Sequence, residues 1–144
     1  MNLNMDIKEF ERILSEGAER PRIEYKGPVG WKSDLFIKDI LAMANMKDGG
    51  YIIVGISQNS DKRIIRNGLA QEQLSTYDID IMREQIKKFA EPFVDFTVFP
   101  IDDLEEKKYV VIHIHEFELL PVVCAAPISD VKQGHVYFRT SRGC

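Results

Sequence analysis

The chain is short of cysteine, of long apolar runs and of net positive charge, and each shortage removes a class of protein. Cys124 and Cys144 are the only two cysteines in 144 residues. They lie far apart with no Cys-x-x-Cys pair, so neither a disulfide framework nor a cysteine zinc site is indicated. The longest apolar run, Leu119 to Ile128, is broken by Pro121 and Pro127 and falls far short of the roughly 20 residues a membrane-spanning helix needs. The first twenty residues interleave Asp6, Glu9, Glu11 and Glu16 with Lys8 and Arg12, and so lack the basic start and apolar stretch of a signal peptide. A cytoplasmic protein with no membrane partner is expected. Nineteen Lys and Arg stand against 23 Asp and Glu, a net charge of -4, which taken as a whole argues against a polyanionic partner such as nucleic acid.

The remaining composition, 44% hydrophobic and 29% charged with nine Gly and six Pro, excludes disordered and collagenous chains. Its length suits a single domain over 1–144, burying roughly 70% of the unfolded chain's surface. No internal repeat, low-complexity segment or linker divides it. The expectation is either a complete small protein or the amino-terminal part of a longer regulator.

Local patterning supplies the elements. Asp6 caps a helix to about Glu16 with Phe10, Ile13 and Leu14 on one face. Arg22 to Lys26 alternate as a strand, Ile23 and Tyr25 on one side and Arg22, Glu24 and Lys26 on the other. Ser33 caps a helix to about Met46, apolar around most of its circumference and therefore central. Gly49-Gly50 opens an interior strand, Tyr51 to Ile56. Ile64-Ile65 make a short strand before Asn67-Gly68. The spacing Ile79, Met82, Ile86, Phe89 predicts an amphipathic helix over Thr76 to Ala90, ended by Glu91-Pro92. Phe93 to Phe99 and Lys108 to Ile114 form a hairpin across the acidic turn Asp102 to Glu106, and His135 to Arg139 a last strand. The order implies an α+β sandwich, a mixed sheet with helices mainly on one face.

Two segments carry candidate chemistry. In the first, Glu19 and Glu24 stand five residues apart, and Glu24 shares a strand face with Lys26. A Glu-x-Lys face can hold a divalent metal and steady a phosphate oxygen, or it can be a stripe of ion pairs. In the second, Ala42-Met43-Ala44-Asn45 leads through Gly49-Gly50 into the strand ending at Gly55. These glycines precede a strand and no Gly-Lys-Ser/Thr follows, so this is no P-loop. Asn45 is either a helix cap or a buried hydrogen-bonding anchor. His113 and His115 share a strand face and would chelate zinc only with a third ligand, Cys124 or Glu116.

In this order and spacing the segments resemble the Schlafen/AlbA-type (AlbA-2) DNA-binding domain family. The likeness rests on Glu19, Glu24, Tyr25 and Lys26, on Ala42, Ala44 and Asn45 with Gly49, Gly50 and Gly55, on Pro121, and on Tyr137-Phe138-Arg139-Thr140-Ser141. It implies an Alba-like α+β fold, nucleic-acid binding and pairing into a homodimer. Some Schlafen relatives are metal-dependent RNA nucleases that use both glutamates of the first motif and an aspartate just after the Gly-containing strand. Glu19 and Glu24 match those glutamates, but Ser57 and Gln58 stand where the aspartate is expected, and neither is a hard anionic ligand. Asp48 or Asp61 would have to supply the third carboxylate.

The charge balance is regional: residues 1–66 carry a net +1 and residues 67–144 a net -5. Lys26, Lys32, Lys47, Lys62, Arg63, Arg66, Arg139 and Arg142 lie on or beside the motif strands. If those strands adjoin as the resemblance implies, the cations form one patch beside Tyr25, Tyr51 and Tyr137, with the acidic face turned away. The expected function is DNA or RNA binding without a cofactor. One alternative is an endonuclease, using Mg²⁺ or Mn²⁺ on Glu19 and Glu24 with Lys26 assisting. The other is an interaction module built on an apolar edge at Val122 and Val123.

Overall fold

A computed structural model describes residues 5–16, 22–117, 121–128 and 131–137. Its centre is a four-stranded mixed sheet in the order β1-β2-β7-β6. Strand β1 (Ile23–Lys26) runs parallel to β2 (Gly50–Val54), and β7 (Lys108–Ile114) runs antiparallel to both β2 and β6 (Phe96–Asp102). Parallel neighbours need a crossover, which α2 (Ser33–Ala44) provides.

The sheet is covered on both faces. Ile52 and Val54 of β2 and Val110, Ile112 and Ile114 of β7 meet Phe36, Ile37, Ile40 and Leu41 of α2 and Met82 and Ile86 of α4 (Ile79–Lys87) in one cluster. Leu74 of the short α3 (Gln71–Leu74) packs against the same cluster. On the opposite face, Phe10, Ile13 and Leu14 of α1 (Ile7–Glu16) pack with Ile23, Tyr25, Ile53, Tyr109 and Val111. The period of two along each strand makes both clusters possible, since adjacent residues serve opposite faces. Three of the four described helices share a face, as the patterning implies.

Several element ends depart from the sequence expectation. The run Tyr51 to Ile56 is not one strand. Gly55, at φ +111°, turns the chain out of the sheet, and β3 (Ile56–Gln58) pairs instead with β4 (Ile64–Arg66) as a separate hairpin. A side chain at Gly55 would press on the Tyr109 ring as well as strain the backbone. Asp6 caps α1 as expected, its Oδ1 accepting from the Glu9 N–H at 2.8 Å. Ser33 does not cap α2: it is the first helical residue, and Lys32 holds the extended N-cap position. Helix α4 starts three residues late because Asp78 takes the cap, accepting from the N–H groups of Asp80 and Ile81. The last strand reduces, within the described residues, to a bridge between Val136 and Val123. Val123 also pairs with Glu91, joining β8 (Val123–Cys124) to β5 (Ala90–Glu91). Of the apolar edge expected at Val122 and Val123, Val122 is 1% exposed and packs into the core, while Val123 is half-buried. No described helix is long and apolar enough to cross a membrane.

Candidate nucleic-acid interface

The register divides the sheet into two ends. Lys26 of β1 pairs with Val54 at one, and Ile23 pairs with Tyr51, itself opposite His113, at the other. Helix α2 runs back between them. Its twelve residues place Lys32 and Lys47 at opposite ends, about 18 Å apart along the axis at 1.5 Å per residue.

The expected cations are thereby sorted. Lys62 and Arg63 stand together in the turn of the β3–β4 hairpin at the Lys26 end, both exposed. Lys32 joins them at that end, at the start of α2. None of the three has a carboxylate partner among the described residues. Lys47 is also exposed but lies at the Tyr51 end. Glu19, Arg139 and Arg142 lie outside the described residues.

Lys26 and Arg66 are engaged. The Lys26 Nζ lies 2.8 Å from Asp39 Oδ2 and 5.7 Å from the centre of the Phe36 ring, with only 24% of its side chain exposed. The charged face of β1 is therefore not a solvated stripe, because α2 lies over it. Arg66 Nη1 sits 2.9 Å from Glu11 Oε1 and 3.9 Å from Asp103 Oδ2. The six described cations of the expected eight do not form a single free patch. Tyr25 is buried beneath α1 rather than beside the cations.

The acidic turn is not directed away. Its Asp102 pairs with Lys108 at 3.2 Å, and Lys107 Nζ donates to the carbonyl of Arg66 at 2.9 Å, so it adjoins the base of the basic hairpin. Asp103 holds that turn: Oδ1 accepts from the N–H groups of Glu105 and Lys107, and Oδ2 from the Tyr109 hydroxyl at 2.8 Å. Burial alone would raise its pKa, but the Tyr109 and backbone hydrogen bonds, with Arg66 nearby, outweigh burial and hold the carboxyl below its usual range.

Of the metal reading's two glutamates, Glu19 lies outside the described residues, and the candidates for a third ligand are placed as follows. Ser57 Oγ donates to Asn67 Oδ1 at 2.8 Å and Gln58 Nε2 to the Lys62 carbonyl, so both act within their own hairpin. Asp48 sits at the Tyr51 end and Asp61 in the exposed hairpin turn. No three His, Cys, Asp or Glu residues among those described converge on a common point. The described donors do not fit a divalent metal centre. The carboxylate that does approach Lys26 is Asp39, and its signal was available: it is a lone acid within the buried run Phe36 to Ala44.

His113 and His115 share a face as expected, with ring centres 4.3 Å apart and Tyr51 stacked on His113 at 4.4 Å. Cys124 is buried in the cluster on the other side of the sheet, and Glu116 accepts from the Asp48 N–H. Neither completes a zinc site. Burial, then Glu9, raises the Tyr51 phenol above its ordinary pKa, opposed by Arg22, whose guanidinium lies 5.9 Å from the ring centre.

The Asn45 question is settled as an anchor that also ends the helix. Its Nδ2 donates to the carbonyls of Leu41, Val122 and Tyr137, and its Oδ1 accepts from the Val122 N–H.

A mixed sheet with an α2 crossover, an anchoring Asn45 and a kinked β3–β4 hairpin defines an α+β domain of Alba-like type. The chain matches the Schlafen, AlbA_2 family over residues 19–144 and belongs to it. Among solved structures it is similar to the DIP2311 protein of Corynebacterium diphtheriae, with TM-score 0.58 and 20% identity over 96% of this chain. It spans only 25% of that protein's length. It is also similar to the N-terminal domain of a Nitrosomonas europaea protein named for its relation to the ATP-dependent DNA helicase RecG. There the TM-score is 0.63 and the identity 19%, over 95% of this chain and 90% of that one. At such identities the likeness is one of fold. No match was found among curated proteins.

Proposed function

We propose that this domain is a nucleic-acid-binding module of a regulatory protein that holds its ligand by phosphate contacts and does not cut it. The observation that carries this reading is the exposure of Lys32, Lys62 and Arg63 at one end of the sheet, with no carboxylate partner among the described residues. Cations left unpaired at one end can release counterions from a phosphate backbone whatever the sign of the whole chain. Family membership supports the reading, as does the helicase-related name of one neighbour in fold.

The test is fluorescence anisotropy with labelled duplex and single-stranded DNA and RNA over a salt series. Three phosphate contacts give a slope of log affinity against log salt of about -2.7 on duplex DNA. Binding that is absent at low salt, or unmoved by salt, overturns the reading. Incubation with structured RNA and Mn²⁺ leaves the RNA intact. Cleavage that is lost in Glu24→Gln would replace binding with catalysis.

A further inference from the structure

The carboxyl-terminal half of α4 and the segment leading into β6 enclose a cleft of about 300 Å³. Phe96 pairs with Ile114, so the cleft lies at the Tyr51 end of the sheet, away from Lys62 and Arg63. Its apolar lining includes the buried Ile86 and Phe96, and Phe93 stands on its margin 60% exposed. Arg83 and Lys87, one helical turn apart, line the same cleft. Both are exposed and have no carboxylate partner among the described residues. Like charges at this spacing weaken a helix. Lys87 is compensated by the negative end of the helix dipole in the last turn, whereas Arg83 is mid-helix and gains little from it. Asp95 completes the polar lining, and its backbone is tied down by the His115 N–H at 2.9 Å.

An exposed aromatic ring continuous with an apolar floor, flanked by two unpaired cations and one carboxylate, suits a planar heterocycle that carries an anion. We infer that this cleft is a subsite for one unpaired nucleotide of a single strand, its base against Phe93 and its phosphate on Arg83 and Lys87. The inference rests on the nucleic-acid reading above and adds to it a preference for single strands. Stacking on an aromatic ring needs an unstacked base, and a guanidinium with an ammonium matches a phosphate. The Asp95 carboxylate can accept from an N–H group on the base edge. The volume, at the lower limit of small-molecule sites, suits one nucleotide.

The experiment compares a short all-adenine single strand with a duplex of equal length, binding the full chain at low salt. Phe93→Ala is expected to weaken the single strand roughly 5- to 150-fold, the range for one lost base stack, Arg83→Ala to weaken it by loss of a phosphate contact, and both to leave the duplex unchanged. Phe93→Tyr retains binding. Single-strand affinity equal to wild type in both alanine variants overturns the subsite while salt-labile duplex binding stands. If the wild type binds neither strand form, the nucleic-acid reading fails, and titration with adenosine monophosphate decides the cleft separately. Amide shifts at Lys87, Val94 and Asp95 support it, and their absence, or equal shifts with benzoate, overturns it.

Discussion

Asn45 and Val122 form a closed hydrogen-bonded pair between a side chain and a peptide unit 77 residues away. The Val122 N–H donates to Asn45 Oδ1 at 2.7 Å, and Asn45 Nδ2 donates to the Val122 carbonyl at 2.9 Å. The amide thus copies a strand partner at the end of α2, where ladder pairing stops. It also reaches the Tyr137 carbonyl at 3.0 Å and the Leu41 carbonyl at 3.2 Å, so two N–H bonds serve three acceptors. Residues 121–128 and 131–137 are held to the core through this residue, the pairing of β8 with β5 and the burial of Val122, Cys124 and Val131.

Asn45→Ala strands a buried N–H and carbonyl at Val122. It is expected to destabilise the fold by about 2 kcal/mol or more, read by urea unfolding. Hydrogen exchange at the Val122 amide accelerates in the same variant. Asn45→Asp keeps the acceptor and loses the donor, and so retains protection at that amide better than alanine does.

Breaking the Lys26–Asp39 pair from one side leaves a charge partly enclosed by α2 and β1. Asp39→Ala is expected to cost about 1–3 kcal/mol, below the full penalty for a buried pair because Lys26 keeps some exposure. The double variant Lys26→Met with Asp39→Leu recovers most of that loss. A double-mutant cycle by thermal or urea unfolding measures the coupling.

Asp103 contributes stability that depends on pH. Its folded pKa lies below the unfolded value, so the unfolded chain binds the extra proton and stability rises with pH through that window. The contribution is complete above about pH 4 and disappears as the pH falls through the folded value. Asp103→Asn flattens this acid limb in a series of urea midpoints, and at neutral pH costs about 1–2 kcal/mol for the weakened Tyr109 and turn contacts.

Salt titration separates the two ends of the sheet. The double variant Lys62→Ala with Arg63→Ala is expected to reduce the duplex slope by about 2, since each phosphate contact contributes about 0.9. Lys47→Ala leaves the slope unchanged. The weakening is uniform across sequences, because phosphate contacts position without specifying.

Much of the fold was legible because its signals are local. The alternation from Arg22 to Lys26 assigned Ile23 and Tyr25 to one face, and those residues meet α1. The apolar circumference of α2 marked a helix buried in the centre, with eight buried residues. The Tyr51 to Ile56 run misled because a continuous apolar stretch has no period to show where pairing stops. Gly55 turns the chain there, and its close approach to Tyr109 involves a strand more than fifty residues later. The Thr76 start for α4 was misplaced because its side chain serves another element: Thr76 Oγ1 accepts from the Trp31 N–H at 2.8 Å.

The sequence by itself determined the amphipathic faces, the βαβ order, the pairing of β6 with β7 and the membership in the Schlafen, AlbA_2 family, since these depend on short-range spacing and motif order. Only the tertiary structure decided what each charge faces. Coulombic pairing falls off within a few ångströms, and partners such as Asp39 for Lys26 or Glu11 for Arg66 come from elements that pattern alone does not bring together. The direction of α2 sent Lys32 and Lys47 to opposite ends of the sheet, and the kink at Gly55 carried Lys62 and Arg63 clear of it. The scarcity of net positive charge therefore describes the whole chain, while the three cations at one end that lack a carboxylate partner among the described residues describe a surface.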